Sequence, residues 1–135
     1  MRMDYRFLKK ISDVMQARQS HYIEVKDLME DVKALCSDID KEDFTDLFIG
    51  HLHLLKDNEV IKELSGQNLG IAYGINGQII INGCYIRLTS KGYDFAKVLN
   101  KSGIIEKFKR CTLNEALQIT NAVIANSIGG YLTNI

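Results

Sequence analysis

The side chains best equipped for chemistry are three histidines, three cysteines, a glycine-rich stretch and two opposed groups of charges. His51 and His53 stand two apart in His51-Leu-His-Leu-Leu55, where a metal site or a general base would be sought first. Two residues turn a helix by about 200°, so this pair faces different ways and does not share a metal. His51 comes seven residues after Phe44 and four before Leu55, inside an apolar stripe, which reads as a buried, hydrogen-bonded core histidine. His21 stands alone near a helix end, and no Ser, Cys, Asp and His grouping has the spacing of a triad. Cys36, Cys84 and Cys111 are odd in number, widely spaced and outside any Cys-x-x-Cys motif, which fits reduced thiols in a cytosol better than disulfides or zinc. Residues 66–77 are rich in glycine but lack the Lys-Ser/Thr of a phosphate-binding loop and lie in hairpin-like sequence rather than before a helix. The expectation is a non-enzyme with no catalytic residue, metal, cofactor or small-molecule substrate.

Charge carries the sharper information. Seventeen basic and seventeen acidic side chains cancel, so the long-range attraction of a basic domain to nucleic acid is missing and any such affinity must be local. Residues 1–23 hold five bases and two acids, residues 24–60 four bases and eleven acids, and residues 61–135 eight bases and four acids. The chain is therefore electrically bipolar, with its negative section in the middle. There Glu42, Asp43 and Asp46 open a helix. Seven bases, Arg87, Lys91, Lys97, Lys101, Lys107, Lys109 and Arg110, face only Asp94 and Glu106 across residues 87–110, with Tyr93 as a possible stacking neighbour. Lys91, Lys97, Lys101, Lys107, Lys109 and Arg110 are the nucleic-acid candidates, and Glu42, Asp43 and Asp46 the candidates for an acidic partner face. Between Glu63 and Arg87 there is no charged side chain at all, so that segment would grip phosphate poorly.

Several elements must position these groups. Phe7, Leu8, Ile11, Val14 and Met15 recur at helical spacing behind Asp4, predicting a capped helix over 4–17. Tyr22 and Ile23 make a short strand before a helix over 25–36 with Val25, Leu28, Met29, Val32 and Leu35 inward. Asp40, with Asp43 at the third helical position, caps a helix over 41–57 whose stripe is Phe44, Leu47, Phe48, His51, Leu54 and Leu55. From Val60 the period changes to that of strands. Asn76-Gly77 fits a two-residue type I′ turn, and Asn82-Gly83 a second turn or bulge. A strand near 84–88 then meets Thr89, the cap of a fourth helix with Tyr93, Phe95, Ala96, Val98 and Leu99 as its apolar side. Lys101-Ser-Gly103 breaks that helix, a short basic helix follows over 104–110, and Thr112-Leu-Asn-Glu115 is a capping box for a last helix over 113–127. The predicted class is α+β, mainly helical: a winged helix-turn-helix over 1–100 with a long β-hairpin wing, and a helical extension over 101–135 packed on it as a single globular unit.

The chain resembles the YjcQ-like family of small bacterial and phage-associated winged-helix proteins of unknown function. The likeness rests on a first helix opening with Met-Arg-Met-Asp-Tyr, on His51-Leu-His-Leu-Leu running into Val60-Ile61, and on Leu88-Thr-Ser-Lys-Gly-Tyr-Asp-Phe95 followed by helical sequence. It implies a winged-helix fold and a phage or prophage setting, and lends no catalytic residue or ligand. Two functions follow. One is a DNA-associated regulator touching the backbone through bases outside the acidic third helix, because carboxylates at a recognition-helix start repel phosphate. The other is a protein-binding module whose acidic section docks on a basic protein. After Arg110 the only charge is Glu115, and the last helix spreads apolar residues around its circumference, so Ile119, Ala122, Val123 and Ile128 are expected to form a homodimer interface. No apolar run approaches the roughly 18 residues of a membrane span, so a cytoplasmic location without membrane contact is expected.

Overall fold

The computed structural model describes residues 3–64 and 68–133, the side chains of 127–133 excepted. It is a mainly helical α+β chain with a small antiparallel sheet. Helix α1 (Tyr5–Ala17) starts where the Asp4 carboxylate accepts from the amides of Arg6 and Phe7 at 3.0 and 3.1 Å, filling two of the donors a helix start leaves open. Strand β1 (Tyr22–Glu24) runs directly into α2 (Val25–Ala34), which buries Val25, Leu28 and Val32. Leu35, expected inward, is 53 % exposed at the C-cap of α2, and the next residue, Cys36, is buried instead.

Helix α3 spans Lys41–Asp57. The expected side-chain cap is not made: Asp40 sits at the cap position, but only its backbone carbonyl is used, accepting from Phe44 N–H at 2.8 Å. The buried face also turns. Phe44, Phe48, His51 and Leu55 are buried as expected, Ile49 and Leu52 join them, and Leu47 and Leu54 are only half-buried. Neighbours on two sides widen the covered arc beyond a single stripe.

Strand β2 (Ile61–Glu63) follows α3 after a left-handed residue, Glu59, and β5 (Tyr85–Leu88) lies between β1 and β2, antiparallel to both. Residues between β2 and β5 form a separate hairpin, β3 (Ile71–Tyr73) with β4 (Ile79–Ile81), entered through the left-handed turn Asn68–Gly70. Its tip corrects the type I′ expectation. Tyr73 pairs with Ile79, leaving five residues between, and Gly77 N–H donates to Gly74 C=O at 2.9 Å while Gly74 N–H donates to Gln78 C=O at 2.7 Å. Only Gly77 has positive φ (74°), so Ile75-Asn76-Gly77 is a three-residue loop, a turn closed by a left-handed glycine. Asn82-Gly83 is likewise no tight turn. It carries the chain from β4 into β5, with Asn82 N–H bonded to Gly70 C=O at 2.6 Å.

Helix α4 (Ser90–Leu99) buries Phe95, Ala96, Val98 and Leu99, while Tyr93 is 42 % exposed rather than part of the apolar side. Gly103 (φ 78°) ends the break before α5, which is shorter than expected (Ile104–Phe108). The capping box of α6 forms as the sequence implies: Glu115 N–H donates to Thr112 Oγ1 at 3.2 Å, and Thr112 N–H to Glu115 Oε1 at 3.1 Å. That backbone bond, then the side-chain one, holds the Glu115 carboxyl below its ordinary range. Helix α6 (Leu113–Thr133) runs past the expected end near 127. Phe108 stacks on Phe95 at 6.2 Å and meets Tyr5 at 5.4 Å, and α6 packs on α4, so the C-terminal helices share one core with α1 and α3. Among the described residues no helix is long and apolar enough to cross a membrane.

Candidate nucleic-acid interface

The sheet supplies a feature that no local motif announces. Successive strand residues point to opposite faces, so β5 turns Ile86 and Leu88 into the core and Tyr85 and Arg87 outward. Register then aligns the neighbours: Arg87 stands between Tyr22 of β1 and Lys62 of β2, one row across three strands. The next row places Tyr85 beside Glu24. Tyr22 and Tyr85 are 48 % and 43 % exposed, their rings perpendicular with centroids 5.4 Å apart. An edge-to-face pair leaves other ring faces open to a further partner.

Beside this row, a cleft of about 930 Å³ is lined by Lys56, Glu59, Lys62, Glu63, Asn68, Arg87 and the start of α4 at Thr89, Ser90 and Lys91. Four bases thus meet two acids. Lys56 is already paired with Glu63, and among the described residues no carboxylate pairs with Lys62, Arg87 or Lys91. Like charges directly opposite on neighbouring strands are destabilising. The Lys62–Arg87 pair is therefore an arrangement that an anion relieves, and the amide end of α4 adds to the same positive field. Thr89 fixes that helix start in place: its hydroxyl accepts from Gly92 N–H at 3.0 Å and lies 2.6 Å from the Glu59 carbonyl, to which it donates.

The candidates named from the sequence do not form one patch. Lys91 belongs to the cleft just described. Lys97 is exposed near the end of α4, about 9 Å along the helix from Lys91 at its rise per residue, and Lys101 is exposed just past that end. Lys107 is exposed on α5. Lys109 pairs with Glu106 at 3.0 Å, a carboxylate also 3.8 Å from Arg6, and with Arg110 it lines a different cleft beside Met3, Leu54 and Asn58. Part of that charge is thus neutralised locally. Lys62, Tyr22 and Tyr85 were not among the expected site residues. The alternation Tyr85-x-Arg87 was visible in the sequence, but which strands would flank it was not.

Glu42, Asp43 and Asp46 are exposed at the start of α3, none of them in an ion pair among the described residues. Glu42 and Asp46, with Lys41 and Thr45, share a groove with Gly77, Gln78 and Ile79, so the hairpin tip lies beside the start of α3. Of the expected dimer residues, Ile119 and Val123 are half-buried against the core, Ala122 is exposed, and the Ile128 side chain lies outside the described residues.

His51 is fully buried. Its Nε2 accepts from Asp4 N–H at 2.9 Å, which leaves Nδ1 to donate to the Leu47 carbonyl at 2.8 Å. Burial lowers its pKa below 6.5, against smaller opposing effects of the Leu47 carbonyl and Asp4. Tyr5 Oη donates to Cys111 C=O at 2.8 Å, and burial pushes its pKa up to about 12. Both groups tie elements together and neither opens on a cleft with a nucleophile. No three of His, Cys, Asp and Glu converge as a metal-holding group among the described residues. Compared with protein-family models, with curated proteins and with solved structures, the chain matches none.

Proposed function

We propose that this chain is a non-catalytic, cytoplasmic winged helix-turn-helix module of phage or prophage regulation that contacts DNA through basic surfaces outside its acidic third helix. The element order supports the fold reading: helix, strand, two helices, then four strands and a helix, with the first strand pairing with the last. In this reading α3 is the helix that would enter the major groove, and the β3–β4 hairpin is an enlarged wing. The bacterial mobile-element setting rests on the resemblance to the YjcQ-like proteins.

One observation carries the function: Lys62 opposite Arg87 with Lys91 in one cleft, three cations without carboxylate partners among the described residues. Phosphate is the anion such a row fits, because phosphate interactions supply most nucleic-acid affinity and need no base-specific geometry. Anisotropy of labelled DNA, single-stranded and duplex, at several salt concentrations tests it. Replacing Lys62, Arg87 and Lys91 by Gln is expected to weaken binding and to lower the salt slope, by roughly 0.9 on duplex and roughly 0.7 on single-stranded DNA, for each phosphate that is no longer neutralised. Replacing Lys107, Lys109 and Arg110 is expected to do so less, since Glu106 already offsets part of that charge. Neutralising Glu42, Asp43 and Asp46 is expected to leave binding unchanged or tighter. Abolished binding on that last change would return α3 to the role of reader and overturn the proposal.

The exposed Glu42, Asp43 and Asp46 favour a second reading, docking of α3 on a basic protein partner. It is the better account if no DNA binds while a basic protein from the source cell is retained by the native chain and released by the neutralised one.

A further inference from the structure

We infer that the outward face of the three-stranded sheet is a binding site for single-stranded nucleic acid, bases stacking on Tyr22 and Tyr85 while phosphates run over Arg87, Lys62 and Lys91. This rests on the DNA reading above and deepens it by naming the form of the ligand.

Two exposed aromatic rings beside cations that no carboxylate pairs among the described residues suit a single strand, and a duplex leaves the rings unused. Duplex bases are already stacked on each other, and only their edges show in the grooves. An unpaired strand offers ring faces, and stacking on aromatic side chains tolerates any base. Here Tyr22, Arg87 and Lys62 form one transverse row, and Tyr85 stands in the next row on the same face. Adjacent strands lie about 4.8 Å apart, so the row spans roughly 10 Å, somewhat more than one extended nucleotide step. A base over Tyr22 thus places its phosphate near Arg87 and Lys62. Glu24, beside Tyr85, sits at the end away from Lys62 and gives the face a polarity, with phosphates favoured toward β2 and α4. The start of α3 is acidic and shares its groove with the hairpin tip, which disfavours phosphate there.

The test uses the full chain and three labelled probes of about 12 nucleotides, within the span that one small domain covers: oligothymidine, an abasic strand with the same phosphates, and a duplex. The expected result is that the wild type binds oligothymidine at least ten-fold more tightly than the abasic strand. Tyr22→Leu and Tyr85→Leu each weaken oligothymidine about ten-fold and leave abasic and duplex binding unchanged, whereas Tyr22→Phe and Tyr85→Phe retain it. Equal affinity for oligothymidine and the abasic strand overturns the inference, and that comparison needs no variant, so it decides even if a Leu variant fails to fold. If Leu variants bind oligothymidine normally while Arg87→Gln and Lys62→Gln weaken all three probes, stacking is excluded and the DNA reading survives. No binding to any probe by the wild type overturns both.

Discussion

His51 shows how a single side chain can look functional and be structural. It joins α3 to the start of α1, accepting from Asp4 N–H and donating to Leu47 C=O, with both ring nitrogens used. Protonation would place a hydrogen where Nε2 must accept, inside a fully buried site. Its folded pKa lies below the ordinary 6.5, so the unfolded chain binds the extra proton first. Stability is then complete above about 6.5 and falls as pH drops through that value toward the lower folded one. Urea unfolding followed by circular dichroism at pH 7.5 and pH 5.5 is expected to show a lower midpoint at the acid pH. His51→Leu is expected to lose about 1–3 kcal/mol at pH 7.5, because the Asp4 amide is left without a partner, and to flatten the pH dependence. An unchanged slope in that variant would assign the acid sensitivity elsewhere.

At the scale of elements, the junction of α3, β2 and α4 explains the Leu88-Thr-x-x-Gly92 pattern. Helix α3 ends in a paired turn, Val60 N–H reaching Leu55 C=O at 2.9 Å and Glu59 N–H reaching Lys56 C=O at 3.0 Å. This requires a left-handed residue, and Glu59 takes it with φ 61° where glycine is usual. Glu59→Gly is expected to raise stability by about 0.5–1 kcal/mol, the relief of left-handed strain less the entropy glycine loses on folding, measured as a higher urea midpoint. Gly92 is the opposite case. A Cβ there would meet Val60 O at 2.1 Å, a backbone atom that cannot swing aside. Gly92→Ala is therefore expected to cost about 1–3 kcal/mol, as overpacking does, and to lower the thermal midpoint. A neutral result would mean that β2 and α4 can part, loosening the cationic cleft they line.

For the whole molecule, α6 carries no charged side chain after Glu115. Its first turns are core: Leu113, Ala116, Leu117 and Thr120 are buried, so cutting the chain after Arg110 would remove packing along with any interface. Ala122 and Ala125 are exposed farther along. A two-fold dimer through this face is the expected closure. Sedimentation at tens of micromolar checks it, with Ala122→Glu as the control that places a charge in the interface while sparing the core. A dimer that becomes monomeric in that variant supports the assignment, and a wild-type monomer removes it.

Features that depend on neighbours a few residues apart were legible in the amino-acid order alone. The Asp4 and Thr112 caps, the burial of His51, the change of period at Val60 and the Thr89 start of α4 all follow from local hydrogen bonding or from helical and strand periodicity. Where longer-range packing competes, local pattern is not enough: the buried face of α3 is rotated to admit Ile49 and Leu52, and the Asn76-Gly77 turn is longer because the pairing of Tyr73 with Ile79 leaves it five residues to span. The candidate site needed the full fold. Tyr22, Lys62 and Arg87 are far apart in sequence, and nothing local says that β5 lies between β1 and β2. Strand order is set by which apolar faces bury together, Ile23, Ile61, Ile86 and Leu88 here, and the outward row is its consequence. The same packing parts Lys91 from Lys109 and Arg110, because the first turn of α4 and the segment after α5 line different clefts.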